Sequence, residues 1–304
     1  MKMKGLLTAI LFVIGLSLIG VVSQGMEVTA TGNETTVPAL INLVQPEPET
    51  AVAATILTEV DRDDDPDALY PCTEAPHDCT LRSAIAIANN DGVPTDITFA
   101  DHYLITLSRP LPNLTESHTV IRARPEQEVH VNGNRLPATV FYITGAAVRL
   151  EGLRIYGAGE NVSNIRVNGA AHSVIIAHNV IGDEDAPSGN CGSSDKSYGG
   201  IYVDGTAAVE TAVRVWIYGN IIECHKGLPG DGITIMTDKV VVGEDSEGNA
   251  DTDQRNVMRW NNGYGIRLNG HSGNTIENNL AHDNGSGGLH MTNYNNNVMG
   301  NEWR

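Results

Sequence analysis

The fold is decided by residues 256–301, NVMRWNNGYGIRLNGHSGNTIENNLAHDNGSGGLHMTNYNNNVMGN. Ile266–Gly270 is echoed 23 residues later (266 to 289) by Leu289–Asn293. Asn279 is echoed 22 residues later (279 to 301) by Asn301. This density of Asn and Gly disfavours a helix and is typical of turns that need a left-handed backbone. A unit of roughly 20 to 25 residues made of short strands and such turns predicts one coil of a solenoid.

The same frame extends towards the N terminus with longer steps. The first motif begins at Ile165, Ile201, Ile233, Ile266 and Leu289. The asparagine recurs at Asn179, Asn220, Asn256, Asn279 and Asn301, followed by Val180, Ile221, Val257, Leu280 and finally Glu302. Because side chains alternate along a strand, we expect both aliphatic columns to stack inside the solenoid. We expect the asparagines to stack as a ladder at a turn, amide on amide.

These columns resemble the right-handed parallel β-helix proteins, the superfamily that includes pectate lyases and polygalacturonases. The resemblance implies an all-β fold, a right-handed parallel β-helix solenoid with a short N-terminal capping helix. A β-sandwich with Asn-rich turns is the alternative. It is disfavoured because hairpin patterning does not keep a one-way register.

Four segments divide the chain. Residues 1–25 carry two lysines, an apolar run and small residues, which predicts a signal peptide; an uncleaved N-terminal anchor is the alternative. Residues 26–50 are rich in Thr, Pro and Glu without periodicity, which predicts a flexible linker. We expect an N-terminal cap over residues 51–91 and the parallel β-helix over residues 92–304.

The predicted cap contains the segment Cys79-Thr-Leu-Arg-Ser-Ala-Ile85. It resembles the C-S-L-R-E-A-I motif that precedes the β-helix in a class of secreted and surface proteins, with Ser83 in place of the motif's Glu. The resemblance implies fold and export, and little chemistry. Export and an even cysteine count favour disulfides, which we expect within each region: Cys72–Cys79 in the cap and Cys191–Cys224 across one long coil.

The net charge of the chain restricts the classes of molecule that it can bind. The formal net charge is −18 at pH 7, which argues against nucleic acid and against an anionic membrane surface. It also disfavours tight binding of polyanionic sugars unless the basic residues are gathered in one place or a divalent cation bridges.

One column of polar side chains is predicted to face outward from the strands of the first motif. It consists of Arg166, Tyr202, Thr234, Arg267 and His290. Parallel β-helix lyases bind acidic polysaccharide on such a face and use Arg or Lys to neutralise the carboxylate and abstract a proton. Arg267, Arg166 and His290 are therefore candidate catalytic residues. The alternative is an ordinary solvated sheet face.

Other candidates have weaker patterns. Tyr202, Trp216 and Tyr218 are candidate sugar-stacking residues, although packing under a loop is the commoner outcome for such aromatics. Asp204 and Asp231 are candidates for the paired carboxylates of a hydrolase, although turn formation explains both. The Asp pair and Arg-Ile-Lys of polygalacturonases are missing from the sequence.

Calcium is the one cofactor that the sequence suggests. Asp61, Asp63 and Asp65 alternate in an acidic loop, but Pro66 stands where an EF-type loop needs Gly. A second acidic loop contains Glu244, Asp245, Glu247, Asp251 and Asp253. A solvated acidic loop is the default interpretation of both.

The sequence thus predicts an exported module, secreted or held at the cell surface. We expect a non-catalytic protein that contacts glycans or another cell-surface partner. The alternative is a polysaccharide lyase or hydrolase that acts on an acidic polysaccharide. Fold alone does not decide between them.

Overall fold

A computed structural model describes residues 56–60, 72, 79–168, 170–182, 191, 197–205 and 213–304. These residues form 23 short strands and one helix. The first half contains β1 (Ile56–Val60), α1 (Leu81–Asp91), β2 (Thr95–Phe99), β3 (Tyr103–Thr106), β4 (Thr119–Arg122), β5 (Val129–Asn132), β6 (Phe141–Ile143), β7 (Arg149–Glu151), β8 (Leu153–Tyr156), β9 (Ser163–Val167), β10 (Val174–Ala177) and β11 (Val180–Gly182). The second half contains β12 (Gly199–Val203), β13 (Val215–Tyr218), β14 (Ile221–Glu223), β15 (Asp231–Ile235), β16 (Val240–Val242), β17 (Val257–Arg259), β18 (Tyr264–Leu268), β19 (Thr275–Glu277), β20 (Leu280–His282), β21 (Gly287–Met291), β22 (Asn297–Met299) and β23 (Glu302–Trp303).

The strands form three parallel sheets, and successive coils add one strand to each. Sheet A runs β1-β2-β4-β7-β10-β13-β16-β19-β22. Sheet B runs β3-β5-β8-β11-β14-β17-β20-β23, and sheet C runs β6-β9-β12-β15-β18-β21. The chain is a right-handed parallel β-helix, so the predicted fold class is confirmed.

The first aliphatic column lies inside the solenoid, as predicted. Ile201 pairs with Ile165 on one side and with Ile233 on the other, and Ile266 follows in the same register. All four are at most 1% exposed. Such burial of a branched aliphatic side chain contributes roughly 1.5–3 kcal/mol each.

The second aliphatic column was predicted with the wrong orientation. Val180, Ile221, Val257 and Leu280 are in register with one another, but each is only half-buried on the outer face of sheet B. The next residues of these strands fill the core instead, namely Ile181, Ile222, Met258 and Ala281. The reason is that each ladder asparagine points into the corner, so alternation turns its successor outward.

The asparagine ladder is confirmed at the corner between sheets A and B. The side-chain oxygen of Asn220 accepts the backbone N–H of Asn179 at 2.9 Å, and that of Asn256 accepts the backbone N–H of Asn220 at 3.0 Å. Asn279 and Asn301 continue the ladder, with 2.8 Å from the Asn279 N–H to the Asn301 side-chain oxygen. These amides satisfy backbone groups that a dry corner leaves without water.

Two further ladders occupy the other corners, and the sequence reasoning missed them. Asn261 donates its backbone N–H to the side-chain oxygen of Asn284 between sheets B and C, at 3.1 Å. Between sheets C and A, the backbone N–H of Asn274 donates to the side-chain oxygen of Asn296 at 3.0 Å. The sequence does contain the pattern that predicts them, because these asparagines repeat at the coil length, 23 residues (261 to 284) and 22 residues (274 to 296).

Helix α1 packs against the start of the solenoid. The Thr80 side chain accepts the Ser83 backbone N–H at 3.1 Å as N-cap, and Gly92 ends the helix with φ 68°. Its buried residues Leu81, Ala84, Ile85 and Ala88 belong to the same hydrophobic cluster as the strands. The extent of the cap over residues 51–91 stays a prediction, because most of residues 51–80 lie outside the described residues.

Both expected disulfides are present, Cys72–Cys79 and Cys191–Cys224. The predicted signal peptide and linker lie outside the described residues. In the part of the chain that the structure describes, no helix has the length and apolar character needed to span a bilayer.

Candidate functional site

Sheet C carries a column of side chains on its outer face, interrupted at Thr234, which was predicted to be solvated but is only 3% exposed. The backbone register aligns Tyr142, Arg166, Tyr202, Thr234, Arg267 and His290 on neighbouring strands. The five residues predicted from the sequence are thus side by side. Tyr142 was missed, although its position between the buried Phe141 and Ile143 signals an outward side chain.

Arg166 lies between two tyrosine rings of this column. Its guanidinium carbon is 5.6 Å from the ring centre of Tyr142 and 5.5 Å from that of Tyr202. Tyr202 in turn meets Tyr198 edge to face, with 6.1 Å between the ring centres. Nη2 of Arg166 also donates to the Asp204 carboxylate at 2.6 Å. The guanidinium is therefore held in place by aromatic and ionic contacts together.

Arg267 has a comparable environment three strands further on. Its Nε and Nη2 donate to the two carboxylate oxygens of Asp231 at 2.5 and 3.2 Å. Asp231 is fully buried and also accepts the backbone N–H of Tyr264 at 2.8 Å and the hydroxyl of Thr234 at 3.3 Å. The ring of Tyr264 lies under the guanidinium at 5.0 Å and stacks on His290 at 5.0 Å. Asp231 is thus part of the support of this face.

Both arginines are held in the charged form. The hydrogen bonds that Arg166 donates to the Asp204 carboxylate raise the pKa of Arg166, and those that Arg267 donates to Asp231 raise the pKa of Arg267. A protonated guanidinium binds and orients, but it has no lone pair to accept a proton. Burial raises the pKa of Tyr202, so its phenol stays neutral and can donate a hydrogen bond.

The structure does not bring the two candidate acids together. Asp231 begins its strand level with Gly199, whereas Asp204 follows the far end of the neighbouring strand. With five residues between these levels, the two backbone positions are about 16 Å apart along the strand direction. The carboxyl groups of glycosidases are separated by about 5 to 9.5 Å. Asp204 and Asp231, the candidates for a carboxylate pair, are therefore too far apart to form one.

The candidate aromatics divide between two faces. Trp216 and Tyr218 are on sheet A, while Tyr202 is on sheet C. Trp216 is half-buried and points outward, but Tyr218 is only 6% exposed and contacts His178 edge to face at 5.5 Å. Tyr218 is a packed residue, and burial raises its pKa. The three aromatics do not form one stacking platform.

A small open cavity of about 190 Å³ lies beside Arg166. Tyr198, Tyr202 and Ser163 contribute to its lining. Sites that enclose a drug-sized ligand measure about 300 to 1,000 Å³. This cavity suits one protruding group of a ligand that lies along the open face.

The acidic loops show no metal geometry in the described residues. Asp61, Asp63 and Asp65 lie outside them. In the second loop, Asp245 accepts the backbone N–H groups of Glu247 and Asn249 at 3.0 and 2.9 Å, so it stabilises its own turn. Within the described ranges, no group of three or more His, Cys, Asp or Glu residues has a metal-binding arrangement.

Comparisons with known proteins assign no family to the chain. No family model and no curated protein matches the chain. The major allergen from cedar pollen, jun a 1, is similar at 16% identity and TM-score 0.36, over 81% of this chain and 62% of the allergen, so the chain spans about three fifths of the allergen's length. The alginate lyase from Paenibacillus sp. str. FPU-7 is similar at 14% identity and TM-score 0.31, over 67% of this chain and 74% of the lyase. At these identities and TM-scores, neither structure bears on the function.

Proposed function

We propose that this protein is an exported, non-catalytic glycan-binding module and that the outer face of sheet C is its binding surface. The observation that carries the proposal is the column itself, in which Arg166 lies between the rings of Tyr142 and Tyr202 and both arginines are already bound to aspartates. Four of the chain's nine tyrosines, Tyr142, Tyr198, Tyr202 and Tyr264, belong to this face.

Aromatic rings with a polar tip are suited to sugars. The flat apolar face of a tyrosine packs on the C–H face of a pyranose, and the hydroxyl can hydrogen-bond at the ring edge. Because parallel strands are about 4.8 Å apart, the column places Tyr142, Arg166 and Tyr202 at successive steps of that size along the solenoid axis. A chain-like ligand can contact several of them at once, which raises its affinity.

Export is supported by the two disulfides. Cys72–Cys79 and Cys191–Cys224 use all four cysteines of the chain. Disulfides persist in oxidising compartments and are rare in the cytosol. A secreted or cell-surface location fits this pairing and the leader-like residues 1–25.

Catalysis is the less favoured function for this face. A lyase needs a group that accepts the proton. Both arginines are protonated and bound to their aspartates, and the ring of His290, the third candidate, is stacked on Tyr264. A hydrolase needs two carboxylates across one glycosidic bond, and Asp204 and Asp231 are too far apart for that.

Tyr202→Ala should weaken glycan binding about tenfold, because one stacking ring contributes about 1.4 kcal/mol. The measurement is isothermal titration with the glycan that the purified protein retains from a polysaccharide panel. Tyr294→Ala is the matched control, since Tyr294 is 82% exposed on the turn after β21. Equal affinity of Tyr202→Ala and the unaltered protein would remove sheet C as the binding surface.

An ultraviolet assay for unsaturated sugar ends should give no product with polygalacturonate, alginate or chondroitin, with or without calcium. The reason is that neither arginine can accept the proton and that the ring of His290 is stacked on Tyr264. The contrary result is product formation that Arg166→Gln abolishes, which would make the protein a lyase.

A further inference from the structure

We propose that the glycan recognised by sheet C is uncharged, a neutral polysaccharide instead of a polyuronate. This inference rests on the proposed glycan-binding function and names the class of ligand. Its basis is the charge balance of the face, which only the side-chain pairing reveals.

The column contains two arginines, and each carries its own counter-ion. Asp204 lies 2.6 Å from Arg166, and Asp231 lies 2.5 Å from Arg267. In both pairs Nε and Nη2 face the aspartate, which leaves Nη1 of each guanidinium for a ligand. Nη1 can donate to a sugar hydroxyl. To bind a sugar carboxylate with net attraction, the arginine would have to release its aspartate.

Two further charged residues lie near these pairs in the described part of the chain. Arg214 is positive and lies beside Asp204, but it is fully buried and cannot reach a ligand. Glu160 is negative, and its backbone bridges that of Ser197, the residue before Tyr198. Among the described residues of the column, both arginines are thus paired with aspartates.

The electrostatic field of the whole chain also favours an uncharged ligand. A formal net charge of −18 repels a polyanion at long range, and the face offers no excess of positive charge to offset it. Hydroxyls of a neutral sugar require neither the loss of an ion pair nor the approach of like charges. Aromatic stacking and hydroxyl hydrogen bonds then supply the affinity.

The test is isothermal titration of the purified protein with hexamers of glucose, xylose and mannose, and with hexamers of galacturonic and guluronic acid. Calcium and EDTA are alternated, at low and high salt. We expect at least one neutral hexamer to bind about tenfold more tightly than either uronate, a difference of about 1.4 kcal/mol. We expect this affinity to be independent of salt, because no net charge is screened.

The outcomes separate the two proposals. Tighter binding of a uronate, in calcium or in EDTA, would overturn the neutral ligand and leave glycan binding intact. Affinity for a neutral hexamer that falls steeply with salt would also overturn it. No binding of any hexamer would overturn the glycan-binding function and this inference with it.

Asp204→Asn provides a gain-of-binding check. Without its carboxylate partner, Arg166 should raise the affinity for hexagalacturonate about fivefold, within the range of a charge-assisted hydrogen bond. Glu126→Gln makes the same change in net charge at an exposed turn between sheets A and B and should leave that affinity unaltered. Equal gains in both variants would assign the effect to net charge and contradict the role of Arg166. The comparison of hexamers in the unaltered protein does not depend on either variant.

Discussion

Asn220→Ala should lower the free energy of unfolding by about 3 kcal/mol or more, because it leaves several buried polar groups without partners. Asn220 is fully buried in the middle of its ladder. Its side-chain oxygen accepts the backbone N–H of Asn179 at 2.9 Å. Its amide donates to the carbonyls of Ile176 at 2.8 Å and Tyr218 at 2.9 Å. Alanine replaces none of these bonds, and the corner between sheets A and B is too dry for water to do so.

The measurement is urea unfolding followed by circular dichroism. Asn262→Ala is the matched control, because Asn262 is exposed on a turn and the hydrogen bond of its side chain to the Gly227 carbonyl is long, at 3.3 Å. We expect the control to change stability by about 0.5 kcal/mol or less. Equal effects of the two variants would show that the ladder adds nothing beyond ordinary turn propensity.

Arg267→Ala should lower the free energy of unfolding by about 3–5 kcal/mol, because it leaves a buried carboxylate without its counter-charge. Asp231 is fully buried, and its remaining donors are the Tyr264 backbone and the Thr234 hydroxyl. These two neutral bonds do not replace a guanidinium. The same unfolding experiment measures the effect, and Arg267→Ala combined with Asp231→Asn should recover part of the loss.

Arg166→Ala is the natural comparison for this prediction. Its side chain is 41% exposed, and the Asp204 side chain is 18% exposed, so solvent screens the pair. Removing it should cost about 1 kcal/mol or less. If the two variants lose equal amounts of unfolding free energy, the burial of Asp231 does not explain the size of the effect at Arg267. If Arg267→Ala is strongly destabilised, loss of binding in that variant does not identify a contact with the ligand.

Much of the fold could be predicted from periodicity. The first aliphatic column, the asparagine ladder and the Cys191–Cys224 disulfide follow from spacings of one coil, and the structure has all three. The Cys72–Cys79 disulfide was expected from an even cysteine count within the cap and is also present. The second aliphatic column was misassigned because the corner asparagine takes an inward position and shifts the alternation by one residue. A period of two shows which residues share a face, but not which face is inside.

The site was predictable as a column and not as a set of contacts. The sequence by itself determined that Arg166, Tyr202, Thr234, Arg267 and His290 share one outer face, since a constant coil register brings equivalent positions together. Only the tertiary structure decided that Arg166 pairs with Asp204 and Arg267 with Asp231, across 38 and 36 residues of chain. The physical reason is that a long side chain can bend either way along its strand. The choice between carboxylates at the two ends depends on burial and on neighbouring coils, which no local pattern encodes.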